Sequence, residues 1–135
     1  MQMSTYLFFD GKCEEAFKFY EKTFNGKIAM MMRNSDAPPE ARMPGGENLV
    51  MHVRLDIGSM MLLASDCPPD MFDKPQGFRV SLHVDSAAEG ERIFNAFAPN
   101  GTVQMPYQKT FWAHRFGMVT DKFGTPWMIN CEKEA

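Results

Sequence analysis

Three histidines, His52, His83 and His114, are the only imidazoles in the chain, and an imidazole can carry a proton near neutral pH or ligate a divalent metal. Their spacing forms no local ligand motif. An isolated histidine in a strand or loop most often serves structure or surface, so a metal site built from the three is the lesser alternative to proton transfer by His83 or His114. Around His114 runs Thr110-Phe111-Trp112-Ala113-His114-Arg115-Phe116, a loop rich in aromatic and basic groups. There Phe111 and Trp112 could stack on a flat or apolar ligand, while Arg54 or Arg79 could hold a carboxylate or phosphate. Plainer roles compete. Trp127 and Phe111 are expected in the core, because large aromatics dominate burial in small domains. Arg54 with Asp56 suits an exposed strand face, and Asp121 with Lys122 suits a turn. No nucleophile elbow is present, and Gly45-Gly46 lacks the strand-to-helix setting of a phosphate loop.

The elements that must position these groups belong to one modest domain. At 135 residues and 44% hydrophobic content, the chain can bury one substantial core, and a single domain over 1–135 is expected. A net charge of −3 and a pI near 5.6 offer no basic footprint for nucleic acid or anionic membrane. No apolar run approaches a membrane span, and Met1-Gln2-Met3-Ser4 lacks the basic and apolar segments of a signal peptide, so the expected location is cytoplasmic. Cys13, Cys67 and Cys131 are odd in number, with no CxxC pair, which predicts reduced thiols rather than disulfides or a zinc knuckle. The thirteen methionines could line an adaptable apolar surface, but filling gaps in the core is the expected use.

The chain repeats itself. Asn25-Gly26 recurs as Asn100-Gly101 at an offset of 75, which also pairs Leu7 with Leu82, Asp10 with Asp85, Phe19 with Phe94, Ile28 with Val103 and Met30 with Met105. Further on, Gly58 pairs with Gly124 at an offset of 66, bringing Val53 onto Val119 and Leu63 onto Ile129. The first copy then carries the longer loop, through Ser35-Asp36-Ala37-Pro38-Pro39 and Pro44-Gly45-Gly46. Each copy reads as strand, helix and three strands. The first is Thr5 to Phe9, a helix from about Glu14 to Phe24 closed by a left-handed Asn25-Gly26 cap, Lys27 to Arg33, Met51 to Ile57 and Met60 to Ser65. A linker broken by Cys67-Pro68-Pro69 runs to Gln76-Gly77. The second copy is Phe78 to Val84, a helix opened by the Ser86–Glu89 capping box and ended by Pro99, Thr102 to Tyr107, Phe116 to Asp121 and Thr125 to Cys131.

The period of two in the strands assigns faces. Leu7 and Phe9, with Val80, Leu82 and Val84, form an apolar set suited to lying under a helix. Tyr6 and Phe8, with Arg79, Ser81 and His83, take the opposite side. On the final strand Met128 and Asn130 share one face, and Trp127 and Ile129 the other.

This doubled plan, with the closing stretch from Thr110 to Asn130, resembles the PhnB-like branch of the vicinal-oxygen-chelate (glyoxalase/bleomycin-resistance) superfamily over essentially the whole chain. The resemblance implies an α+β fold of two tandem βαβββ modules, 4–66 and 77–132, forming a half-open eight-stranded sheet around a cup, with the helices outside. The cup would hold a small organic molecule, with Tyr6, Phe8, Arg54, Arg79, Trp112, Met128 and Asn130 as contacts. Metal-dependent members use histidines near the starts of the modules' first strands and a glutamate on the final strand. The matching positions here are Ser4, Arg79 and Met128, none a usual divalent ligand, so the inherited metal is expected to be lost and no cofactor is expected. The alternative is a metal-dependent lyase or oxygenase with a divalent ion on displaced histidines; a third is a sequestering protein whose cup opens at a dimer interface. Homodimerisation is implied by the family. The branch is often labelled a ubiquinone-pathway methyltransferase, yet the glycine-rich strand-to-helix turn of a Rossmann-type methyltransferase is missing, so any activity is expected to be that of a lyase, isomerase or oxygenase.

Overall fold

Alternating apolar residues and two well-punctuated helical stretches fold into two compact units, Met1–Asp73 and Lys74–Ala135, in a computed structural model that describes residues 1–133. The first unit runs β1 (Thr5–Phe9), α1 (Cys13–Phe24), β2 (Lys27–Arg33), β3 (Val50–Ile57) and β4 (Met60–Asp66). Its sheet has the order β1-β4-β3-β2, with β1 parallel to β4 and the other pairs antiparallel. The second unit repeats the plan with β5 (Val80–His83), α2 (Ala87–Phe97), β6 (Thr102–Gln108), β7 (Arg115–Thr120) and β8 (Pro126–Cys131), in the order β5-β8-β7-β6. The α+β architecture expected from the sequence is therefore present as two open four-stranded sheets, each with its own helix. Strand β5 is shorter than expected. Phe78 is 48% exposed and the ladder to β8 begins only at Val80, opposite Trp127.

Each helix covers one face of its sheet. In the first unit Cys13, Ala16, Phe17 and Tyr20 of α1 are buried together with Leu7, Phe9, Val53, Leu55 and Ala64. In the second, Ile93, Phe94 and Phe97 of α2 are buried with Val119, Trp127 and Ile129, and the Trp127 ring stacks on Phe97 at 4.7 Å between centroids. Trp127 is thus core, as expected. Phe111 is not. It is 97% exposed, because Thr110 and Ala113 close a turn on each other (Ala113 N–H to Thr110 Oγ1, 3.1 Å) and leave Phe111 and Trp112 at its tip. The methionines depart from expectation too: none of the thirteen is among the buried residues.

The helix ends follow from local chemistry. Asn25 and Asn100 both sit in the left-handed region, at φ 52° and 62°, where asparagine is tolerated better than most residues. The glycine after each is required by close approach. A Cβ on Gly26 would lie 2.6 Å from the Asp56 carbonyl oxygen, and one on Gly101 would overlap the Thr120 carbonyl oxygen and lie 2.9 Å from that of Phe97. At its start, α2 is capped by Ser86, whose hydroxyl accepts from Glu89 N–H at 3.1 Å. Glu89 itself turns to Arg92, at 2.7 Å. Helix α1 has no side-chain cap at Lys12; the carboxylate of Asp66 accepts from Cys13 N–H at 3.0 Å instead.

The strand registers correct the repeat. Leu7 pairs with Ala64 and Leu82 with Ile129, so β4 maps onto β8 at an offset of 65. Ala64 pairs with Val53 and Ile129 with Gly117, so β3 maps onto β7 at 64. The offset of 66 suggested by Gly58 and Gly124 keeps the right face for Val53 and Val119 but puts Leu63, which faces away from the helix, onto helix-facing Ile129. The physical reason is the turn: four residues separate Asp56 from Met61, whereas five separate Thr120 from Pro126. The corrected offset makes Asp56 the counterpart of Thr120, the two residues whose carbonyls press on Gly26 and Gly101.

Replacing Gly101 with alanine is expected to cost about 2 kcal/mol in urea unfolding, because the clash is with fixed backbone. Asn100→Gly should stay within about 0.5 kcal/mol, since glycine suits the same φ. Acid stability has a separate source. Arg33 grips both carboxylate oxygens of Glu14 at 2.8 and 2.6 Å, and Lys18 adds a contact at 2.8 Å. These partners, Arg33 foremost, pull the Glu14 carboxyl down to about 2 from its ordinary 4.5. The folded value lies below the unfolded one, so this stabilisation is complete above about pH 4.5 and is lost as pH falls toward 2. Glu14→Gln should flatten the loss of stability across that window while costing less than about 1 kcal/mol at neutral pH, because the pair is one-third exposed.

Candidate functional site

The helices leave the other face of each sheet open, and the register decides which side chains meet there. In the second unit Met105, Met118, Met128 and Ser81 lie side by side across all four strands. The next row is Gln108, Phe116, Asn130 and His83. Neighbouring members of a row are on strands about 4.8 Å apart, and alternate residues of one strand are about 6.6 Å apart. Ser81 and His83 therefore form a polar pair along β5 beside a floor of thioethers, with Arg79 just before the strand. Arg79 donates one N–H to the Trp127 carbonyl at 3.2 Å, which sets its side chain along β8. The Ser81 hydroxyl lies 3.4 Å from His83 Nε2, and the Asn130 amide nitrogen lies 3.4 Å from His83 Nδ1.

At the end of this face is a cavity of about 310 Å³ lined by His83, Val84, Asp85, Asn130, Glu132 and Lys133. A second, of about 340 Å³, shares Glu132 and Lys133 and extends over the loop from Lys109 to His114. That loop is tied to the end of β8 by His114 N–H donating to the Glu132 carbonyl at 3.0 Å. Trp112, half exposed, rests edge-on against Phe116 at 5.4 Å and against Phe111 at 4.8 Å.

The remaining sequence-predicted residues gather in the first unit. Its open face carries the row Met30, Arg54, Leu63 and Tyr6, with Met32, His52 and Phe8 beyond it. Tyr6 lies 3.1 Å from His52 Nδ1 through its hydroxyl, with the rings stacked at 5.7 Å. Arg54 is bonded to Asp56 at 2.7 Å on an exposed surface, so its charge is already met. The expected site residues thus divide: Tyr6, Phe8, His52 and Arg54 in the first unit, and Arg79, His83, Trp112, His114, Met128 and Asn130 in the second. Among the described residues, no three His, Cys, Asp or Glu side chains gather where they could hold a metal ion.

Sequence reasoning left Met105, Met118, Glu132 and Lys133 out of the site. The alternation of β6 and β7 could have placed the two methionines; nothing local marks the other two. Two of the three thiols offer no nucleophile. Burial, aided by the nearby charge of Asp66, pushes the Cys13 thiol far up, and burial with the charge of Asp10 raises that of Cys67, so neither supplies thiolate at neutral pH.

Over residues 1–130 the chain matches the family described as 3-demethylubiquinone-9 3-methyltransferase. It is 35% identical to protein YjdN of Escherichia coli K12, over 99% of this chain and 97% of that protein. The crystal structure of protein PA1353 from Pseudomonas aeruginosa superposes with a TM-score of 0.91 at 45% identity, covering 99% of both chains. The PhnB protein of Bacillus cereus has a TM-score of 0.77 at 24% identity, over 97% of this chain and 99% of its own. The fold is shared more widely, with a glyoxalase/bleomycin resistance protein/dioxygenase family enzyme of Burkholderia phytofirmans at a TM-score of 0.64 and 14% identity, over 96% and 97% of the two chains. With its doubled βαβββ units and a match running from Met1 to Asn130, the chain belongs to the PhnB-like family that carries the 3-demethylubiquinone-9 3-methyltransferase description, within the glyoxalase/bleomycin-resistance/dioxygenase fold.

Proposed function

We propose that the chain binds a compact organic carboxylate on the open face of β5, β8 and β7, without a divalent metal. The observation that carries this is Ser81 and His83 side by side with Met118 and Met128 across the strands, with Arg79, bonded to the Trp127 carbonyl, just before β5. A guanidinium with N–H groups beyond its one bond to Trp127 can pair with a carboxylate, and the serine hydroxyl can add a further hydrogen bond. The methionines give an apolar floor that adapts to a ligand's body, a use for which unbranched thioethers are suited. His83 is the imidazole placed to exchange a proton with such a ligand.

Two observations support the absence of metal chemistry from this proposal. The positions that correspond to ligands in metal-dependent members hold a hydroxyl (Ser4), a guanidinium (Arg79) and a thioether (Met128), and the fixed positive charge of Arg79 opposes a divalent cation. This donor set does not fit the ion. A methyltransferase reading is disfavoured by the turns that lead into the helices, Asp10-Gly11-Lys12 and Val84-Asp85-Ser86, since neither is the glycine-rich turn that seats a nucleotide-like cofactor. All three cysteines are free thiols, which suits a reducing cytosol. No helix among the described residues is long and apolar enough to cross a membrane.

Benzoate and phenylacetate serve as probes. Either is expected to raise the thermal midpoint in a concentration-dependent way, as a ligand selective for the folded state must. Arg79→Met should weaken binding by roughly tenfold or more, the scale of a charged hydrogen bond. An undiminished shift in Arg79→Met would place the carboxylate elsewhere. Zinc, nickel and manganese ions should leave the midpoint unchanged, and purified protein should contain substoichiometric metal. Stoichiometric metal that disappears in His83→Gln or His114→Gln would establish the displaced-histidine alternative instead.

A further inference from the structure

We infer that Asn130 is a positioning residue that holds His83 as the Nε2–H tautomer, so that the ring meets its ligand as a hydrogen-bond donor to an oxygen. The placement comes from the sheet. His83 and Asn130 are register partners on the adjacent parallel strands β5 and β8, and a slip of one residue would turn both side chains to the other face. The amide nitrogen of Asn130 is 3.4 Å from His83 Nδ1. An amide nitrogen can only donate, so Nδ1 must present its lone pair and the single proton of the neutral ring resides on Nε2. Nε2 in turn lies 3.4 Å from the exposed Ser81 hydroxyl. Ser81 is exposed and its hydroxyl can turn to water instead, so the Nε2–H is open to a ligand oxygen.

The opposite orientation of the amide is disfavoured by what lies behind it. Asn130 Oδ1 is buried and has no hydrogen-bond partner. Inverting the amide would replace this unpaired acceptor with an NH₂ group in the same dry place, and a buried unpaired N–H is the rarer and costlier defect. The orphaned oxygen therefore locks the donor toward the ring. The consequence is specificity. A neutral His83 in this tautomer favours a ligand oxygen, carboxylate or carbonyl, at Nε2, and it cannot accept a proton there without first changing tautomer. The inference rests on the proposed carboxylate site only for the identity of what the ring meets.

The test is the ¹⁵N signature of the His83 ring in ligand-free protein, read by long-range proton–nitrogen correlation at a pH well above the imidazole range. His83→Gln assigns the signals by their loss. The expected pattern is a pyridine-like Nδ1 and a pyrrole-like Nε2. Asn130→Asp offers only acceptors to the ring and should reverse the pattern, with folding checked by circular dichroism. Wild-type protein with the proton on Nδ1 would overturn the inference, as would a folded Asn130→Asp protein with an unchanged pattern. If that variant does not fold, the wild-type spectrum alone decides. Because no ligand is present, failure of benzoate to bind would count against the carboxylate site and not against the tautomer. Where benzoate does bind, Asn130→Asp should weaken it by about tenfold, since the ring then turns an acceptor toward the ligand.

Discussion

A buried carboxylate holds each unit together. Asp66 and Asp121 are 3% and 4% exposed, and a carboxylate withdrawn from water is tolerated only where hydrogen bonds replace its hydration. Asp66, at the end of β4, accepts from Cys13 N–H at 3.0 Å and from Val50 N–H at 2.9 Å. It thereby ties the start of the helix and the start of β3 to one strand end. Asp121 accepts from Phe123 and Thr125 N–H and from the Trp127 indole at 2.9, 3.0 and 2.8 Å. That indole stacks on Phe97 of α2, so the chain of contacts runs from turn to carboxylate to aromatic core to helix. The two aspartates occupy different places in the repeat. The halves share a topology while securing their helices by different means.

With one sheet face sealed by a helix, only the other is left open to a ligand. The buried face carries Val, Leu, Ile and aromatic residues whose shapes fit one another closely. The open faces carry Met30, Met32, Met105, Met118 and Met128, interrupted by Arg54, His52, Ser81, His83 and Asn130. Flexible thioethers would specify a core poorly, and on an open sheet face they give an apolar floor that can follow the shape of whatever is bound. A strand pair also holds polar groups at fixed spacings. Ser81 and His83 owe their common side to the pleat, and Asn130 owes its place beside the imidazole to the pairing of β5 with β8.

Much of this was legible in the order of residues. The period of two assigned Tyr6, Phe8, Arg79, Ser81 and His83 to one side and Leu7, Phe9, Val80, Leu82 and Val84 to the other. The helices announced themselves through their apolar stripes and the Asn-Gly ends, and the duplication through its offset of 75. The site was legible only in part. His83, Asn130, Met128 and Arg79 were singled out and do share a face, whereas Tyr6, Phe8 and Arg54 belong to the other unit and Arg54 is occupied by Asp56. Phe111 illustrates the limit. Its apolar side chain argues for burial, but the hydrogen-bonded turn between Thr110 and Ala113 holds it outward.

The amino-acid order by itself therefore determined the periodic elements, their faces and the doubled plan, because side-chain alternation and cap chemistry are local and follow from a few neighbouring residues. The tertiary structure alone decided the offsets of 64 and 65 between corresponding strands, the absence of every methionine from the fully buried core, and the meeting of His83 with Asn130. Those depend on pairing between strands some fifty residues apart in the chain. One extra residue in the turn around Asp121 shifts such pairings, and nothing in the local pattern of either strand reveals it.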